Sequence, residues 1–290
     1  MPLPHVLWIG GPPGTGKTSI ARRIAAAHDL RVYHADAHTW AHHDLAVARG
    51  LPATEQWERM TPDERWVMTP PERMAEHSLD MNADRFRLML EDIRAFPDSP
   101  LIVVEGTPLL PWLAAPLLES RMHAVWLLPT PDFERDLLAA RPTTSFDATS
   151  EPTRAAENRI QRELRVARAI ERGANELGLR TLRIDGTRDL AAMERAVLKS
   201  FADAIARGPR AATGEARSAL RRDENGSLLR QILTYLERVP EAGRPADVEY
   251  PFACECGRSG CREVVETAIS EYARLENASQ PLTHFTHRSE

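Results

Sequence analysis

A chain of 290 residues, 42% hydrophobic with a formal net charge of −5, has ample apolar material for one large domain or a domain with a small appendage. No apolar run approaches the roughly twenty residues of a membrane span, and Met1-Pro2-Leu3-Pro4-His5 does not open a secretion signal. The acidic balance argues against a protein that coats nucleic acid, and a soluble cytoplasmic protein is the expectation.

Val6-Leu7-Trp8-Ile9 predicts a short buried strand. It leads into Gly11-Pro12-Pro13-Gly14-Thr15-Gly16-Lys17-Thr18, which satisfies the phosphate-binding pattern G-x-x-x-x-G-K-[ST]. Lys17 is one of only two lysines in a chain whose cations are otherwise arginines. Residues 19–27 then have helix-forming composition, with Ile20 and Ile24 one turn apart. Gly11, Gly14 and Gly16 remove side chains so that backbone N–H groups converge on phosphate oxygens, and a helix N-terminus adds partial positive charge. With Thr15 they form the expected nucleotide-binding set. In it Lys17 reaches the β- and γ-phosphates, and the Thr18 hydroxyl ligates Mg²⁺. The bland alternative is a glycine-rich turn with an incidental lysine, and the strand and helix flanking the loop weigh against it.

Four further strands are expected at residues 30–36, 101–106, 124–128 and 181–186. Apolar strands alternating with helical stretches predict an α/β fold, a parallel sheet of about five strands with helices on both faces. Ligands of such sheets sit at the carboxyl ends of the strands, which singles out Asp36, Glu105 and Asp185.

The phosphate loop, the Asp after strand two, the Glu-Gly after strand three and a late arginine-rich helix together resemble the P-loop kinases of small molecules over residues 5–205. Shikimate, gluconate and adenylate kinases belong to that group. The resemblance implies an ATP- and Mg²⁺-dependent phosphotransferase with a small-molecule acceptor. It implies that Asp36 orients or deprotonates the acceptor hydroxyl or helps hold Mg²⁺, where the alternative is an Asp that caps the next helix. Glu105, with room beside it at Gly106, would hold Mg²⁺ through water or meet the acceptor, or it simply marks the strand's exit.

Arg141-Pro142 matches the place where such kinases begin a mobile lid, and residues 142–153 are loop-like. On the helix that follows, Arg162 lies three residues from both Arg159 and Arg165 and neighbours each. The resemblance implies that at least one of Arg141, Arg159, Arg162 and Arg165 neutralises the transferred phosphoryl, whereas a solvated charged face would explain the same pattern. Gly186-Thr187-Arg188-Asp189-Leu190 resembles the turn that packs against adenine.

More than sixty residues separate strands two and three, where the kinase fold places its acceptor segment. They contain Trp40, Trp57 and Trp66 with Met60, Met68, Met74, Met81 and Met89. These could line an acceptor pocket, but at helical spacing core is the favoured reading. Two helix starts are predicted at Thr61-Pro62-Asp63-Glu64 and Thr69-Pro70-Pro71-Glu72, and a third helix should present Phe86, Met89, Leu90 and Ile93 on one face. His34, His38 and His42 recur every four residues. Since His34 falls in a predicted strand, a solvated or acceptor-contacting role is favoured there over metal binding.

The composition shifts near residue 206. Residues 206–227 read as a linker or an exposed basic helix, and a short amphipathic helix then carries Leu228, Leu229, Ile232, Leu233 and Leu236. Cys254, Cys256 and Cys261 fall within eight residues, too close for an extracellular disulfide framework. Thiolates so placed can chelate Zn²⁺, with His287 or His284 as the fourth ligand. The alternative is three reduced thiols in a packed turn. The pattern resembles a Cys-x-Cys-x4-Cys tail with a late histidine on otherwise uncharacterised bacterial proteins.

The expected organisation is a kinase-like domain over 1–205, a linker over 206–227 and a small helical, cysteine-bearing region over 228–290. A second class of function is a nucleotide-dependent switch or adaptor that signals through the cysteine-bearing tail. The Glu-Gly ending of strand three, in place of an extended Asp-rich strand, favours the kinase.

Overall fold

A computed structural model describes residues 1–140, 146–239, 244 and 248–287, and in it the apolar runs form a five-stranded parallel sheet. In chain order the elements are β1 (Val6–Gly10), α1 (Lys17–Ala27), β2 (Arg31–His34), α2 (Thr39–Ala48), α3 (Pro52–Arg59), α4 (Pro71–Ala95) and β3 (Ile102–Glu105). They continue as α5 (Pro111–Ala114), β4 (Ala124–Pro129), α6 (Pro131–Ala140), α7 (Pro152–Glu176), β5 (Thr181–Ile184), α8 (Leu190–Arg207) and α9 (Gly214–Arg238). The strand order is β2-β3-β1-β4-β5, an arrangement compatible with a P-loop-like α/β fold.

Alternation along the strands builds two core layers. Val6, Trp8, Ile102, Val104, Ala124 and Trp126 face one side, where Phe86, Met89 and Ile93 of α4 and Val166 and Ile170 of α7 cover them. Leu7, Ile9, Val103, Val125 and Leu127 face the other, against Ile20 and Ile24 of α1 and Val197 and Phe201 of α8. Phe201 is fully buried in that second layer. Truncating it to Ala should destabilise the fold by about 3–5 kcal/mol, read as a lower denaturation midpoint in urea at unchanged slope.

The segment between β2 and β3 differs in part from its expected reading. Thr61 and Glu64 do form a reciprocal cap, with Thr61 N donating to Glu64 Oε2 at 2.7 Å and Glu64 N to Thr61 Oγ1 at 3.2 Å. The turn it opens, Glu64–Met68, is π-helical. Among the described residues Thr69 makes no cap bond: its hydroxyl donates to the Glu64 carbonyl at 2.6 Å, and Glu72 turns to Arg165. One 25-residue helix, α4, then replaces the two expected there. It spans roughly 37 Å, far more than the sheet it packs on, so its N-terminal turns project beyond the strand ends.

The tail is built onto the sheet domain. Residues 206–227 comprise the end of α8, a short connection and the first half of a 25-residue α9, so the expected short amphipathic helix is the second half of that helix. The first half is not an exposed face, because Leu220, Arg221, Glu224 and Asn225 are buried. Beyond it, β6 (Glu249–Ala253) and β7 (Val264–Ala268) pair antiparallel, and α10 (Ile269–Asn277) follows. Phe252, Ile269 and Tyr272 pack with Leu228 and Leu229 of α9. Polar contacts complete the attachment, with Arg221 donating to the Leu30 carbonyl at 2.6 Å and Ser259 to Asp29 at 2.5 Å. Among the described residues no helix is long and apolar enough to cross a membrane.

Candidate functional site

The glycine-rich loop lies at the carboxyl end of β1 and ends on the first turn of α1. Gly11 has φ +129°, and a Cβ there would lie 2.2 Å from the Leu127 carbonyl oxygen, so only glycine lets the loop pass over β4. Gly16 is left-handed at φ +82° in the N-cap position and offers no side chain to the first amides of α1. Those amides are the donors a bound anion would use. Lys17 folds back over the loop, its Nζ donating to the Pro12 carbonyl at 2.8 Å, and Thr15 Oγ1 donates to the same oxygen at 3.0 Å.

Two carboxylates expected to matter stand beside this loop. Thr18 Oγ1 donates to Glu105 Oε1 at 3.1 Å. Glu105 is fully buried, and its Oε2 has no hydrogen-bond partner among the described residues. Asp36 follows β2 with its side chain 45% exposed; Thr107 Oγ1 donates to its Oδ1 at 2.9 Å and Arg85 Nη2 at 3.3 Å. Burial works to raise the Asp36 carboxyl, but the charges of Arg85 and Lys17 and the hydrogen bonds from Thr107 and Arg85 outweigh it. The group is therefore held below the usual carboxylate range, ionised and able to accept hydrogen bonds. It does not cap α2: among the described residues that N-cap, His38, shows no side-chain cap bond.

His34 pairs in register with Glu105 across β2 and β3. Its Nδ1 lies 2.8 Å from Glu105 Oε1 and its Nε2 lies 3.4 Å from Glu224 Oε1 of α9. With a carboxylate on each nitrogen, the doubly protonated ring can donate to both. Burial alone would lower the imidazole, but the bonds to Glu105 and Glu224 and their charges raise it to about 9. Glu224 is pushed down to about 2: burial opposes this, and Arg221, His34 and Arg22 prevail.

A cavity of about 410 Å³ opens from Gly11, Pro12 and Pro13 toward the projecting turns of α4. Trp40, Trp57, Met74 and Met81 line it together with Ser78 and Asn82. The favoured core reading of the Trp and Met residues therefore holds for Met89, which is fully buried, and for Met74, which is buried where it meets the cavity, but not for Trp40, Trp57 and Met81. Trp66 packs edge-on against Trp57 and Phe146, and Met68 is exposed. Of the three histidines, His34 joins Glu105. His38 and His42 lie near Asp92, with His42 Nε2 at 2.9 Å and Tyr33 OH at 2.5 Å from Asp92 Oδ2. That hydrogen-bonded group, outside the cavity lining, has ligand atoms within 4.8 Å of one another.

The arginines expected at a lid separate. Arg162 lines the cavity, pairs with Glu163 and lies over the Trp66 ring at 4.8 Å. Arg165 is not among the lining residues and binds Glu72 and Gln161. Arg141 lies outside the described residues. After β5, Asp185 accepts from Thr187 N at 3.0 Å, and Asp189 caps α8 by accepting from Ala192 N at 2.7 Å.

The tail gathers Cys254, Cys256, Cys261 and His287, with ligand atoms all within 4.8 Å of one another. His287 Nδ1 lies 3.4 Å from Cys254 Sγ and 3.8 Å from Cys261 Sγ. His284 is outside the group and instead donates its backbone N–H to Cys254 Sγ at 3.3 Å. The Cys254 thiol is held well below its ordinary value, first by the hydrogen bond from Cys261 and then, against burial, by the His284 N–H and His287. A thiolate is the form that binds metal, and three sulfurs with one imidazole suit a closed tetrahedral ion such as zinc.

Sequence reasoning missed His34 as the partner of Glu105, and it missed Arg85, Thr107, Glu163 and Glu224. Only His34 carried a signal, since it ends strand two as Glu105 ends strand three. Comparison with known proteins finds no family model and no curated protein that matches the chain.

Proposed function

We propose that the protein is an ATP-dependent phosphotransferase acting on the hydroxyl of a small organic molecule. The observation that carries this reading is one juxtaposition. A glycine-rich loop with Lys17 and Thr18, two carboxylates and an aromatic-lined cavity meet at the carboxyl ends of parallel strands. In this reading the loop amides and Lys17 bind the β- and γ-phosphates, as they do where a phosphate lies on a helix N-terminus. Thr18 and Glu105, whose Oε2 has no hydrogen-bond partner among the described residues, would hold Mg²⁺, which would offset the charge of the phosphates.

The acceptor would occupy the cavity, its ring or apolar body between Trp40, Trp57, Met74 and Met81. Asp36, fixed by Arg85 and Thr107, would orient its hydroxyl. The hydroxyl oxygen bonds to the γ-phosphorus, the bond to the β–γ bridging oxygen breaks, and ADP leaves. The acceptor proton passes to Asp36. Among the described arginines expected at the lid, Arg162 lines the cavity, and it would meet charge on the transferred group. The zinc of the Cys3His group, with four protein ligands, would hold the tail together and take no part in transfer.

The firm attachment of the tail supports the transferase over a switch that exchanges partners through it. ATP turnover measured against a panel of nucleosides, sugars and hydroxylated ring compounds separates the two. Strong stimulation by one acceptor class is expected. Turnover indifferent to every acceptor but changed by a protein partner would sink the transferase.

A further inference from the structure

We infer that Glu224, on the C-terminal helix α9, is a positioning residue for the nucleotide site. Through His34 it fixes the orientation of Glu105, the carboxylate that would hold Mg²⁺ beside Thr18. The inference rests on the proposed reading of Thr18 and Glu105 as the magnesium site.

The contacts form one buried chain. Glu224 Oε1 faces His34 Nε2 at 3.4 Å, His34 Nδ1 faces Glu105 Oε1 at 2.8 Å, and the same oxygen accepts from Thr18 Oγ1 at 3.1 Å. His34, Glu105 and Glu224 are each at most 4% exposed, so water does not substitute for a lost partner. Glu224 is itself anchored on both sides. Arg22 Nε donates to its Oε1 at 2.8 Å, and Arg221 Nη1 lies 3.2 Å from its Oε2. Arg22 stands one turn after Thr18 on α1 and also donates to the Pro251 carbonyl at 2.9 Å. Helix α9 thus grips both the helix that carries Thr18 and the histidine that holds Glu105.

The geometry gives each link a task. With Oε1 of Glu105 taken by His34 and Thr18, Oε2 is the oxygen left for a cation, and it has no other hydrogen-bond partner among the described residues. An imidazole held at both nitrogens cannot swing about its χ angles, so Glu105 keeps one orientation. Losing Glu224 releases one side of the ring and lets the carboxylate turn. Partners of this kind, one bond removed from a ligand, typically change metal affinity by about 10–100-fold when replaced.

The test is a Mg²⁺ titration of ATP binding on the full chain, followed by calorimetry. Glu224→Gln, which keeps the volume and removes the charge, should raise the Mg²⁺ midpoint by about tenfold. ATP affinity in the presence of a chelator should change little, while the melting temperature falls because Arg22 and Arg221 lose a buried charge partner. His34→Ala should do the same, and the double variant should be no worse than His34→Ala, since both act along one chain. His34→Asn, whose shorter amide can meet Glu105 but not Glu224, should raise the Mg²⁺ midpoint as Glu224→Gln does, and it carries the test if Glu224→Gln does not fold. An unchanged Mg²⁺ midpoint in these variants, with wild-type binding that depends on Mg²⁺, overturns the positioning role alone. Wild-type protein that binds no ATP with or without Mg²⁺ overturns the nucleotide reading on which it rests.

Discussion

Asp36→Asn lowers phosphoryl transfer by about 10²–10⁴-fold in the proposed mechanism, the usual worth of a positioned proton acceptor, while ATP affinity stays nearly intact. The substitution is close to isosteric. The amide oxygen can still accept from Thr107 and Arg85, which hold the present carboxylate at 2.9 Å and 3.3 Å. The hydrogen bonds from Lys17 and Thr15 to the Pro12 carbonyl do not involve this residue. What disappears is the negative charge beside the acceptor hydroxyl. Single-turnover transfer and calorimetric ATP binding on the same preparation separate the two effects. Undiminished transfer would remove Asp36 from the chemistry, and a parallel collapse of ATP binding would make it a structural residue of the loop.

Cys261→Ser should release the tail metal and lower the melting temperature, and a strong chelator should do the same to the wild type. Cys261 is the better choice because it is partly exposed to solvent, whereas Cys254 is buried and its loss would also disturb packing. Structural zinc sites of this donor set contribute about 10–16 kcal/mol of apparent binding energy, most of it coupled to folding. The turn between β6 and β7 has little apolar core of its own, so that coupling should be felt by Phe252 and Tyr272 against α9. Metal analysis under reducing, chelator-free conditions should find about one zinc ion per chain in the wild type and none in the variant. Absence of zinc from the wild type, or an unchanged melt of Cys261→Ser, would reduce the cluster to three packed thiols.

The sheet was legible because parallel strands buried on both faces read as continuous apolar runs, and all five expected strands form. Their spatial order was not, and the most consequential pairing follows from it. His34 and Glu105 are neighbours only because β3 inserts between β1 and β2. The Trp and Met residues misled for a different reason. Helical spacing marks a face but not what covers it, and α4 is long enough that one end is core and the other a cavity wall. The tail was least legible. Arg221, Glu224 and Asn225 have the composition of a solvated helix, yet they are buried because their partners, Leu30, His34 and Ala253, come from distant parts of the chain. The cysteine pattern was readable since its ligands are local, and the distances distinguish His287 from His284 as the fourth member.

The central claim is that this loop donates a phosphoryl group to a small molecule seated in the adjacent cavity. The most direct measurement incubates the protein with Mg²⁺, γ-labelled ATP and a panel of hydroxylated ring compounds, and follows where the label goes. The account predicts label in one acceptor class, lost in Lys17→Ala and in Asp36→Asn. Label released only as inorganic phosphate whatever acceptor is offered, or the same labelled product from Lys17→Ala, would contradict it.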